Sequence, residues 1–136
     1  MIVSTKGRYA LRVMIDLSQN QDRGFIPLRE IAERQNISPK YLEAIVSMLQ
    51  KSGMVVGLRG KGGGYKLTRE PKDYTVQEIL ELTEGTLVPV ACLESDDNTC
   101  PRSEYCLTLP MWKKLDDIIE DYFGNITLED LVCGRV

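Results

Sequence analysis

The stretch from Pro27 to Leu67 limits this chain to very few folds. Pro27 opens a short helix, Leu28 to Gln35, with Leu28, Ile31 and Ala32 turned inward. Asn36 and Ile37 make a tight turn. Ser38 then caps a second helix, and Pro39 takes its first position, where a missing N–H costs nothing. Leu42, Ile45, Val46 and Leu49 follow at i, i+3, i+4 and i+7, the stripe of a helix buried on one face, and Gly53 ends it. Two short strand-type runs come next, Met54 to Arg59 and Tyr65 to Leu67, joined by the hairpin tip Gly60-Lys61-Gly62-Gly63-Gly64. A short helix, a tight turn, a second amphipathic helix and a glycine-tipped hairpin together predict a winged helix-turn-helix. The fold class is therefore mainly α, with a two-stranded wing and, further on, a long C-terminal helix.

The flanking segments complete the plan. Ser4 or Thr5 caps a first helix in which Ala10, Val13, Met14 and Leu17 recur at helical spacing, and Asn20 to Gly24 is a loop. A fourth helix starts around Asp73-Tyr74-Thr75, with Thr75 and Glu78 in capping-box spacing, and closes at Gly85. Residues 86–108 read as a loop rich in Cys, Asp and Pro. Pro110 leads a long helix whose stripe is Trp112, Leu115, Ile119 and Tyr122, widened by Met111, Ile118 and Phe123; Thr127 caps a last turn, Leu128 to Leu131. The expected organisation is a DNA-binding unit over residues 1–85, a cysteine loop over 86–109, and a helix with a tail over 110–136. No run of 18 apolar residues is present and the N-terminus turns polar at once, so the expectation is a cytoplasmic protein without a membrane span.

Net charge is −3, the wrong sign for a nucleic-acid binder, but the charges are divided. Residues 1–72 hold 13 Lys and Arg against 6 Asp and Glu, whereas residues 73–136 hold 4 against 14. A basic front half supplies what phosphate contacts need, and an acidic back half faces away from DNA. The plainer reading is two solvated faces of unequal charge. On the second helix of the motif, the face left free at the N-terminal end is Ser38, Lys40, Tyr41, Glu43, Ala44 and Ser47, placed to enter a major groove. Ser38 and the helix N-terminus suit a phosphate. In the hairpin, Arg59 and Lys61 beside Gly62 suit a minor groove, where narrow A·T-rich sequence deepens the negative potential. Lys6, Arg8 and Arg12 are placed to touch the DNA backbone. The glycine run lacks Walker spacing and a following Ser or Thr, which argues against a nucleotide site.

Four cysteines are present, and three of them, Cys92, Cys100 and Cys106, lie within fifteen residues. Such a cluster suggests metal or redox chemistry more than structural disulfides. Histidine is absent, which removes imidazole from any metal site and His-based catalysis from the chain. With no paired carboxylates in a recognisable site either, an enzyme is not expected. Three thiolates suit an iron–sulfur cluster; zinc would want a fourth ligand and lacks its tight Cys-x2-Cys pairs; redox-active thiols without metal form the third alternative. Cys133 reads as an ordinary thiol near a terminus.

The segments Ser4-Thr5-Lys6-Gly7-Arg8-Tyr9-Ala10, Ile31 to Ser38, Tyr41-Leu42-Glu43 and Val56 to Tyr65 resemble the Rrf2 family of regulators, and the resemblance runs to about residue 132. Three loop cysteines followed by Cys106-Leu107-Thr108 are similar to its IscR-like branch. The resemblance implies a repressor-type transcription regulator, homodimeric through the helix 110–123, that binds a pseudo-palindromic operator in double-stranded DNA. It implies that Tyr41 and Glu43 lie at the DNA face, that Glu43 helps discriminate operators, and that Arg59 is the wing residue. It also implies a 2Fe–2S cluster on Cys92, Cys100 and Cys106, with iron–sulfur assembly machinery as a further partner. One position departs from the branch: a histidine three residues after the last cysteine supplies its fourth ligand, and here that place is Leu109. Cys133, Glu94, Asp96, Asp97, Glu104 or a group from a partner's N-terminal arm are the candidates left. Other family members respond to nitric oxide or, through a partner protein, to cysteine status without a cluster. A metal-carrying interaction protein that does not bind DNA is the rival from another class.

Overall fold

The computed structural model describes residues 3–95, 97 and 100–136. Among them the helices are α1 (Thr5–Gln19), α2 (Leu28–Gln35), α3 (Pro39–Lys51), α4 (Val76–Glu84), α5 (Leu109–Gly124) and α6 (Leu128–Cys133). The strands β1 (Val55–Leu58) and β2 (Gly64–Leu67) pair antiparallel, with Val55 opposite Leu67 and Leu58 opposite Gly64. This is the winged helix-turn-helix read from the sequence.

The helix starts follow local chemistry. The Ser4 hydroxyl accepts from the Gly7 N–H and the Ser38 hydroxyl from the Tyr41 N–H, each relieving a backbone donor that the first turn leaves unpaired. Asn36, at φ 52°, ends α2 in a left-handed conformation that lets its amide bond back to the helix, and buried Ile37 anchors the turn into α3. At α4 the expected start shifts slightly. Pro71–Asp73 is a single 3-10 turn, Tyr74 is extended, and the helix begins after Thr75, whose hydroxyl and the Glu78 carboxylate complete a reciprocal capping box. Thr127 and Asp130 build a second box, and α6 runs on to Cys133, two residues beyond the expected turn.

One apolar core joins these elements. Val13, Met14 and Leu17 of α1, Ile31 of α2, Leu42, Ile45, Val46 and Leu49 of α3, Val55 of β1 and Ile79 of α4 are fully or almost fully buried in it, together with Leu128 of α6. The C-terminal segment thus contributes to the core beneath the wing. Its entry is fixed by backbone pairing, Val76 N–H to the Ile126 carbonyl at 2.9 Å and Leu128 N–H to the Tyr74 carbonyl at 3.0 Å.

Two glycines mark close approaches. A side chain at Gly7 would run into Glu84, Thr83 and Leu80, so glycine lets α1 lie against α4. At Gly64, φ is 150° and a Cβ would strike the Ile26 carbonyl. That contact exists because Ile26 bridges to Tyr65, with N–H···O distances of 2.8 and 2.9 Å, tying the wing to the segment before α2. This third pairing was not evident in the sequence pattern, since one residue carries it.

Tyr74 is the hub below the wing. It is fully buried, donates its hydroxyl to the Met54 carbonyl at 2.7 Å, and accepts from the Thr68 and Arg69 N–H groups at 3.0 Å each. The Arg69 guanidinium lies 4.3 Å from its ring centroid. The base of the hairpin is thereby fixed to the approach to α4.

Candidate nucleic-acid interface and cysteine loop

The free face of α3 is open. Ser38, Lys40, Glu43, Ala44 and Ser47 are exposed, and the last four fall at i, i+3, i+4 and i+7, which places them on one side of the helix. The opposite side is the fully buried set Leu42, Ile45, Val46 and Leu49. Tyr41 is half-buried: its ring meets Tyr9 of α1 edge-on, with centroids 5.7 Å apart and planes at 74°. Through this pair the structure brings the first turns of α1 next to the start of α3. Arg8, exposed, and Lys6, half-buried, lie on those same turns, and Arg8 donates to the Thr5 hydroxyl at 3.2 Å. Arg59, Lys61 and Gly62 are exposed at the wing tip.

Arg12 differs from its expected role as a backbone-contacting cation. Its guanidinium sits 5.0 Å from the Tyr9 ring centroid and donates to Gln35, at the side-chain oxygen (3.2 Å) and at the carbonyl. Gln35 in turn donates to the Asp16 carboxylate at 3.0 Å. Asp16 is only 2% exposed and takes a two-pronged bond from Arg34, at 2.8 and 2.9 Å. That pairing holds the Arg34 guanidinium more firmly protonated than usual. Arg34 also reaches Glu30, which binds Arg23, and both arginines hold the Glu30 carboxyl below its usual range. Sequence reading missed this network. Its signal was an aspartate inside the apolar stripe of α1, where a charge persists only when paired.

The cysteine loop follows α4. Cys92 lies in a 3-10 turn over Ala91–Leu93, and Cys92, Cys100 and Cys106 are each half-buried. The Cys106 sulfur is 3.3 Å from the Thr108 hydroxyl, just before α5. Contact with the Thr108 hydroxyl and amide, together with the Leu109 amide and Arg102, holds its thiol below the ordinary range against a small opposing effect of burial. Among the described residues, no three Cys, Asp or Glu side chains converge where a metal ion would be held. Glu94, Asp97 and Glu104 are exposed, Cys133 is exposed at the end of α6, and Asp96 lies outside the described residues. Leu109 is half-buried at the start of α5. The chemistry of the loop suits a cluster, with three soft thiol donors in a segment of little regular structure. The single chain does not gather them.

The apolar stripe of α5 divides in two. Ile119 and Phe123 pack against Val76, Leu80 and Leu87, whereas Met111, Leu115, Ile118 and Tyr122 are exposed. No helix among the described residues is long and apolar enough to cross a membrane.

Comparison with known proteins bears on both regions. Residues 3–134 match Rrf2, described as an iron-dependent transcriptional regulator. The HTH-type transcriptional regulator IscR of Pectobacterium atrosepticum is 37% identical over 135 residues, covering 99% of this chain and 81% of that protein. Among solved structures, T. potens IscR is 37% identical with a TM-score of 0.79, over 100% of this chain and 89% of that one. CymR (YrzC), the global cysteine regulator of B. subtilis, is 36% identical with a TM-score of 0.80, over 98% and 97%. The family and the Pectobacterium relative are named as transcriptional regulators, in agreement with the reading that the chain is not an enzyme. From its fold, its full-length match and its relatives, the chain belongs to the Rrf2 family of transcriptional regulators and is IscR-like.

Proposed function

We propose that this protein is a cytoplasmic repressor that binds pseudo-palindromic double-stranded DNA as a homodimer, under the control of its cysteine loop. The observation that carries the DNA reading is the exposed face Lys40, Glu43, Ala44 and Ser47 on a helix whose other side is locked into the core. A rigid helix with a polar free face can enter a major groove without rearrangement. The unit over residues 1–85 presents this helix and the wing. Ser38, Lys6 and Arg8 suit phosphate contacts, Lys40, Tyr41 and Glu43 suit base edges, and Arg59, Lys61 and Gly62 suit the adjoining groove. Dimerisation uses the exposed stripe Met111, Leu115, Ile118 and Tyr122 of α5. A two-fold dimer would then present one α3 to each half-site.

For the loop over residues 86–109, the reading is a 2Fe–2S cluster held by Cys92, Cys100 and Cys106 and received from iron–sulfur assembly machinery. The fourth ligand is not Leu109, whose side chain has no donor atom. A bound cluster would supply one-electron redox chemistry and sensitivity to oxidants. The second reading, a clusterless thiol sensor, is favoured by the dispersed thiols and by the likeness to the cysteine regulator CymR. Purification without oxygen, with iron and sulfide counts and a visible spectrum, separates the two. About two iron and two sulfide per chain, bleached by Cys92→Ala, supports the cluster. A protein that stays colourless after anaerobic reconstitution overturns it in favour of the thiol reading.

A further inference from the structure

We infer that Tyr9 is a positioning residue for DNA recognition, in contact with both the Arg12 guanidinium and the Tyr41 ring so that it sets the first turn of α3. The inference rests on the DNA-binding reading above and adds a specificity device to it. Tyr41 sits at the third position of α3, within the turn that carries Lys40 and Glu43. Its ring packs at the margin of the core, as does that of Tyr9. It is half-buried and meets Tyr9 edge-to-face at 5.7 Å. Such a pair has a preferred geometry, so it fixes orientation as well as burying area.

Tyr9 has a second contact. Arg12 stands 5.0 Å from its ring centroid, and Arg12 is bonded to Gln35, the last residue of α2. Gln35 and Arg34 both bond the buried Asp16 carboxylate. A continuous chain of contacts therefore runs Asp16, Gln35, Arg12, Tyr9, Tyr41. It links α1 and the end of α2 to the start of α3, where a small rotation would move every side chain offered to the groove. A guanidinium so engaged is a poor phosphate contact. Its role is to hold the ring.

The test uses full-length protein and two fluorescent duplexes of equal length. One is recovered by selection from random double-stranded DNA with the wild-type protein, and the other is its scrambled counterpart. Affinities are read across a salt series. Tyr9→Phe keeps the ring and should bind both duplexes as wild type. Tyr9→Leu should lose about 2- to 12-fold per copy on the selected duplex, the value of an aromatic pair, with scrambled affinity and salt slope unchanged. Equal loss on both duplexes, or no loss on either, overturns the positioning role. Arg12→Met leaves the tyrosine pair in place and serves if Tyr9→Leu does not fold. It should also weaken only the selected duplex, whereas a fall in the salt slope of about 0.9 per copy would make Arg12 a phosphate contact and overturn the inference. If the wild type selects no duplex, the DNA reading itself has failed, and the inference falls with it.

Discussion

Tyr74 shows how much one side chain fixes. Its hydroxyl serves three backbone groups at once, from Met54, Thr68 and Arg69. Tyr74→Phe removes one hydrogen bond each from the Met54 carbonyl and the Thr68 and Arg69 amides at almost unchanged volume, while the Thr68 hydroxyl stays 3.2 Å from that carbonyl. The expected cost is about 1–3 kcal/mol, read from urea unfolding, and an unchanged midpoint would show that water replaces the hydroxyl. Arg34 is the second such residue. Removing it leaves the buried Asp16 carboxylate with the Gln35 amide but without its charged partner, a loss worth about 3–5 kcal/mol in fully buried pairs. Arg34 is itself 35% exposed, so solvent screens part of the interaction and Arg34→Met should cost nearer 2–3 kcal/mol. Neither partnership was legible in the sequence. Tyr74 looked like part of a helix start and Asp16 like one polar residue in a stripe, because their partners are supplied by segments 5 to 20 residues away.

At the scale of elements, local rules did most of the work. The stripes of α1 and α3, the Ser38-Pro39 start and the Thr75–Glu78 box all lie within a few residues of their cause, and all appear where the sequence places them. What periodicity alone left undecided was which side of α5 has a partner. Both sides are apolar, and only the fold shows Ile119 and Phe123 on α4, with Ile118 left 55% exposed. If that outer face is the dimer seam, Ile118→Glu removes about 2 kcal/mol of burial from each copy, and symmetry counts it twice. The dimer should weaken about 1,000-fold in sedimentation experiments while helix content is retained. The α6 capping box makes a pH prediction. The Thr127 amide and hydroxyl, then Arg135, hold the Asp130 carboxyl below its usual range. A lowered folded-state value means stability present above the unfolded-state value and lost as pH falls through the folded one. Asp130→Asn should therefore lower the melting temperature at pH 7, and the gap should close below about pH 4. A gap that persists at low pH would assign the effect to shape rather than charge.

Over the whole molecule the sequence was most informative about charge and least informative about the loop. The basic first half and acidic second half are a property of composition and need no coordinates. The placement of Cys92, Cys100 and Cys106 is another matter: Cys92 lies in the turn at Ala91–Leu93, Cys106 precedes α5, and among the described residues the three do not converge. Yet the loop is not isolated from α3. Cys106 lies three residues before α5, α5 packs through Ile119 and Phe123 on α4, and α4 receives α1 at Gly7, where the Ser4 amide and hydroxyl bind Glu84 at 3.1 and 2.6 Å. The same α1 carries Tyr9, which touches the start of α3. A change in the loop thus has a contiguous route, through the chain into α5 and then through packed helices, to α3. Any coupling along it must be reciprocal: if loading the loop tightens a duplex 10- to 100-fold, about 1.4–2.7 kcal/mol, the duplex must tighten loading by the same factor. The measurement is iron retention against a chelator, with and without saturating selected duplex, beside duplex affinity of loaded and unloaded protein. Equal factors in the two experiments establish linkage between the sites. A duplex preference with no matching change in iron retention at equilibrium would mean that the two preparations differ in something other than loading.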